Sequence, residues 1–61
     1  MHYRFNWRGL EGRILRAEDF DFTDDAAAVA HAKHMLGEDP QSTTIEVWQQ
    51  ARLIHVVSRG A

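Results

Sequence analysis

Tyr3-Arg4-Phe5-Asn6-Trp7-Arg8 alternates an aromatic with a polar residue at every step. That period of two belongs to a strand with one apolar face and one polar face. Gly9-Leu10-Glu11-Gly12 follows as a turn, and Ile14 to Glu18 supplies a returning strand. A three-residue loop, Leu10-Glu11-Gly12, suits a type I turn closed by a left-handed glycine. It sets Leu15 opposite Trp7, Ala17 opposite Phe5 and Arg4 against Glu18. A two- or four-residue loop would bring Arg16 and Glu18 under the aromatic rings and bury charge, so the odd loop is the expected one.

Outward from this hairpin, Phe20 and Phe22 flank Asp21 in a connector whose rings pin it to the core. Thr23 is the expected N-cap of a helix, with Asp24 and Asp25 in its first turn, where carboxylates meet the positive end of the helix dipole. Ala28, Val29, Ala32, Met35 and Leu36 form the apolar stripe, leaving His31, Lys33 and His34 off it. The helix is expected to run to about Leu36, with Gly37 as a left-handed C-cap and Pro40 barring continuation. Thr43 to Trp48 and Leu53 to Val57 then read as two β-branched strands. A turn centred on Gln50-Ala51 puts Ile45 and Val47 on one face with Ile54 and Val56. Trp48, Leu53 and Val57 fall on the other. The fold class is α+β: a four-stranded antiparallel sheet of order ββαββ, one helix packed on one face, and residues 1–61 forming a single domain.

Sixty-one residues lie near the lower limit for a core that folds without disulfides, metal or a partner subunit. The chain has no cysteine, which excludes disulfides and thiolate chemistry. No apolar run approaches the length of a signal peptide core or a membrane span, so a soluble, cytoplasmic protein is expected, with no membrane contact. The formal net charge of −2 is unevenly spread. Arg4, Arg8, Arg13 and Arg16 make the first sixteen residues basic, and Glu18, Asp19, Asp21, Asp24 and Asp25 follow without a basic residue among them. An acidic balance disfavours nucleic acid as the partner.

The opening Tyr3-x-Phe5, the glycine turn before Ile14, the helix start at Asp24-Asp25, the spacing of Ala28 and Ala32 and the closing Ile45-Glu46-Val47-Trp48 form a recognisable order. It resembles the short alphaproteobacterial proteins catalogued as a domain of unknown function. That resemblance implies a cytoplasmic bacterial protein without an assigned activity, and no catalytic residue to carry over. The opening hairpin before an alanine-rich helix is also similar to antitoxins of the HicB type, but their appended DNA-binding segment has no counterpart in this sequence.

His2, His31, His34 and His55 are the residues able to ligate metal or exchange protons near neutral pH. His31 and His34 could share one ion, but a stable site needs three or four convergent ligands, so both are expected to be solvated. His55 is expected opposite Glu46 as a cross-strand pair on the open face. The acidic cluster lacks the glycine and terminal glutamate of a calcium loop. There is no phosphate-binding loop and no nucleophile elbow. No catalytic residue, metal or cofactor is therefore expected, and the protein reads as a non-catalytic interaction module. Its partner-binding residues are Trp48, Leu53, Val57, Glu46 and His55 on the uncovered sheet face, with Ile14 able to extend it and a protein partner or a second copy in a homodimer as occupant. The alternative is a nucleic-acid-binding regulator using Arg4, Arg8, Arg13 and Arg16.

Overall fold

The computed structural model describes residues 1–59. Strand β1 (His2–Arg8) and strand β2 (Ile14–Asp21) are joined by the turn Leu10–Gly12. Helix α1 (Asp25–Glu38) follows, then β3 (Thr44–Gln49) and β4 (Arg52–Ser58). They build the expected α+β fold, one four-stranded antiparallel sheet with a single helix, in the spatial order β2-β1-β3-β4. β1 is antiparallel to both β2 and β3, so β2 and β3 run the same way with β1 between them. Two parallel strands need a long crossover, and α1 is that crossover.

Tyr3, Phe5 and Trp7 are fully buried on the helix side of β1, as the alternation requires. Ala28, Ala32 and Leu36 of α1 close over them, with Ile45 and Val47 of β3 and Val57 of β4 completing the core. Alanine at two of these helix positions lets the backbone lie close to the aromatic layer. β2 lies beyond the helix and is exposed along its length apart from Phe20, which is half-buried.

Both turns close where the sequence indicates, yet both hairpins then depart from the expected register. Gly9 N–H donates to the Arg13 carbonyl at 2.8 Å, fixing Leu10-Glu11-Gly12 as the loop, and Gly12 is left-handed at φ 75°. Glu11 is also left-handed, at φ 71° and ψ 13°, a conformation used by the third residue of a type II turn, not the expected type I. Arg8 faces Ile14, but Trp7 faces Arg16, so Leu15 is left over as a bulge. Phe5 therefore faces Glu18 in place of Ala17, and Arg4 faces Asp19 in place of Glu18.

In the second hairpin Gln49 faces Arg52 and Trp48 faces Leu53, as a Gln50-Ala51 turn dictates. Val47 then faces His55, leaving Ile54 unpaired. One extra residue on one strand exchanges the faces of everything beyond it. Val57, expected on the open face, is instead opposite Ile45 in the core, and Val56 takes its place outside.

Charge beside the aromatic face of β1 is tolerated because β2 is an edge strand outside the helix cover. Arg16 lays its guanidinium 4.1 Å from the centre of the Trp7 ring and pairs with Glu18, both remaining 44% exposed. Charge thus lies beside the core and in water, and the desolvation cost does not arise.

The helix ends also differ from expectation. Asp24, not Thr23, is the N-cap, its Oδ1 accepting from the Ala27 N–H at 2.8 Å. At the other end the helix continues through Gly37, which is not left-handed, to Glu38, with Asp39 as C-cap. Arg59 takes over the role expected of glycine: its guanidinium donates to the carbonyls of Leu36 (2.8 Å), Ser42 (3.0 Å) and Asp39. A cation on the last carbonyls complements the negative end of the helix dipole.

Candidate interaction surface

The sheet face away from α1 carries the even-numbered residues of β1 and the residues paired with them. At its centre is Glu46. Arg8 Nε lies 2.9 Å from Glu46 Oε2, and Trp48 Nε1 donates to Glu46 Oε1 at 3.1 Å. Burial pushes the Glu46 carboxyl up, but hydrogen bonds from Trp48, Arg8 and Asn6 outweigh it and hold the group below the usual carboxylate range. Towards β2, Arg4 grips Asp19 through Nε (2.8 Å) and Nη2 (3.1 Å), with His2 3.6 Å away. The Arg4 hydrogen bonds lower the Asp19 pKa, against the opposing effect of desolvation.

Apolar groups flank this polar centre. Leu53 is 44% exposed and Val56 41% exposed on the β4 side, Ile14 is 52% exposed on the β2 side, and Trp48 is half-buried. Of the five residues expected to bind a partner, the fold gathers Trp48, Leu53 and Glu46 on the open face. Val57 is only 8% exposed and belongs to the core, so it is not available there. His55 is opposite Val47, on the phase of the covered face, and makes no cross-strand pair with Glu46, whose β4 neighbour is Val56. Val56 escapes a sequence reading because its placement depends wholly on the bulge at Ile54. The Arg8–Glu46 pair was equally hidden, since it spans two strands whose adjacency the sequence does not specify.

The four arginines of the nucleic-acid reading do not make one basic surface. Arg4 is held by Asp19, Arg8 by Glu46 and the Gly12 carbonyl, and Arg16 is on the opposite face with Glu18 and Trp7. Arg13 stands apart in the turn connecting β1 and β2.

The histidines are likewise dispersed. His31, expected in solvent, is half-buried with its ring centre 5.2 Å from Phe22, 5.4 Å from Phe20 and 6.2 Å from Phe5. It departs from expectation because the connector rings extend the apolar layer past the helix stripe. His34 is exposed and lies 3.5 Å from Glu38, one turn on. Among the described residues no three His, Asp or Glu side chains converge as metal ligands. No helix of the described residues is long and apolar enough to cross a membrane. A groove of about 500 Å³ between β2 and the C-terminal end of α1 is lined by Trp7, Leu15, Arg16, Met35, Glu38, Asp39 and Gln41. These side chains present no hydroxyl or thiol nucleophile beside a base. No protein family, curated protein or solved structure matches the chain.

Proposed function

We propose that this protein is a non-catalytic interaction module that binds a protein partner, most simply a second copy of itself, through its open sheet face. The observation that carries the reading is the exposure of Leu53 and Val56, with half-buried Trp48, beside a polar centre already internally paired. Because Arg8 and Glu46 already pair as opposite charges and Trp48 donates to the same carboxylate, a partner can cover them without stranding an unpaired charge. The apolar groups around them supply the gain on contact. Arg4, Arg8 and Arg16, engaged by carboxylates on two different faces, give a polyanion little free positive charge, which favours a protein partner over nucleic acid.

Sedimentation velocity of wild type and Trp48→Ala over micromolar concentrations tests self-binding. Concentration-dependent association in wild type that weakens in the variant, with secondary structure retained, is the expected result. A monomer in both samples removes self-association and leaves only a different protein as partner.

A further inference from the structure

The two edges of the sheet differ in a way that bears on how a second copy would bind. β2 presents Arg16, Glu18, Asp19 and Asp21, so pairing it with another β2 about a two-fold axis sets acids beside acids. Such charge is the usual guard against edge-to-edge association. β4, Arg52–Ser58, has no acidic residue and no lysine, and between Arg52 and Arg59 its side chains are Leu53, Ile54, His55, Val56, Val57 and Ser58. The guanidinium of Arg59 is turned back onto the carbonyls of Leu36 and Ser42, which draws that charge away from the strand.

The direction of the free backbone groups follows from one bond. Arg59 N–H donates to the Thr43 carbonyl at 3.1 Å. In an antiparallel ladder this bond flanks a non-hydrogen-bonded pair, here Thr44 and Ser58. The alternation then makes Ile45 with Val57, and Val47 with His55, the bonded pairs. The N–H and C=O of Val56 and Ser58 consequently point out from the sheet edge.

We propose that a second copy of this chain pairs antiparallel with β4 about a two-fold axis at Val56, joining two four-stranded sheets into one continuous sheet. Val56 of each copy then exchanges both backbone bonds with the other, His55 comes opposite Val57, and no like charges face each other along the seam. The open faces of both copies become contiguous, bringing their exposed Val56 side chains together at the centre. This inference rests on self-association as the function read above, but puts the contact at the strand edge.

The test is Val56→Pro in the full chain, with Val56→Lys beside it. An edge position whose N–H faces away from its own sheet accepts proline. The substitution removes one donor from each copy, and losing two such bonds should weaken the dimer about thirtyfold in sedimentation equilibrium, with the circular dichroism of the monomer unchanged. Val56→Lys should weaken it as well, by putting two ammonium groups side by side. In wild type, amide exchange at Val56 should slow as concentration rises from micromolar to millimolar. A wild type that stays monomeric throughout overturns the proposal together with the self-binding reading. A dimer that tolerates both variants, or whose Val56 amide exchanges equally fast at all concentrations, overturns the edge contact alone and leaves open-face binding standing. Should either variant fail to fold, the wild-type amide exchange decides.

Discussion

Tyr3 places its ring among the core aromatics and its hydroxyl 2.6 Å from Asp25 Oδ1, where it donates across from β1 to the first turn of α1. The hydrogen bond to Asp25, reinforced by desolvation and by the Asp25 charge, pushes the Tyr3 phenol up from 10.0 to about 12. A raised acid pKa means that the native state holds its proton where the unfolded chain has released it. The resulting stability is complete below pH 10.0 and is lost as pH rises towards about 12. Thermal melts between neutral pH and pH 12 should therefore show a steep alkaline fall in wild type. In Tyr3→Phe that fall should be flatter, from a lower starting Tm at neutral pH. Pairings of this kind were not legible in the sequence. Tyr3 and Asp25 are 22 positions apart and Arg59 and Leu36 are 23 apart, and nothing in composition or period ties one to the other.

At the scale of elements, the strands, the helix and both turns could be read because each has a local cause: alternation, a 3.6 period, carboxylates at the helix start, a glycine in the first loop, whereas the capping residue itself, Asp24 in place of Thr23, could not. The faces of β2 and β4 could not, because each depends on one unpaired residue, Leu15 or Ile54, with an ordinary apolar side chain. Bulged strands favour sheet edges, and both bulges fall on edge strands, but the strand order that makes them edges is a property of the whole sheet. The turns themselves carry strain that the sequence does not relieve. Glu11 at φ 71° and Gln50 at φ 55° occupy the left-handed region that glycine enters freely. A non-glycine residue there costs about 1–2 kcal/mol, and glycine gives back about 0.5–1 kcal/mol through the entropy of the unfolded chain. Glu11→Gly and Gln50→Gly should each raise stability by about 0.5–1 kcal/mol in urea titrations, and together nearly additively since they lie in separate hairpins. A loss of stability in either would mean that the residue's side chain, not its backbone, is what the turn requires.

The whole molecule is two layers deep, with a shortest dimension of 15 Å, so every core residue lies on the single interface between helix and sheet. A chain of 61 residues at ordinary stability per residue has about 3–9 kcal/mol in total. Trp7 is fully buried, with Phe5 at 5.9 Å and Phe20 at 6.4 Å between ring centres and Arg16 capping its outer side. Removing such a ring typically costs about 3–5 kcal/mol, which is most of that stability. Trp48 is half-buried on the uncovered face, and its indole N–H bonds to Glu46, which keeps Arg8 and Asn6 as partners when the ring is gone. Trp7→Ala should therefore be largely unfolded at 25 °C by circular dichroism, whereas Trp48→Ala should melt cooperatively within about 2 kcal/mol of wild type. The comparison must be made at concentrations low enough to keep all samples monomeric, because a partner on the open face would add its own stabilisation to wild type and exaggerate the cost of losing Trp48. If Trp48→Ala unfolds the chain while Trp7→Ala survives, the covered and open faces are reversed. The surface available to a partner is then the one carrying Trp7 and Arg16.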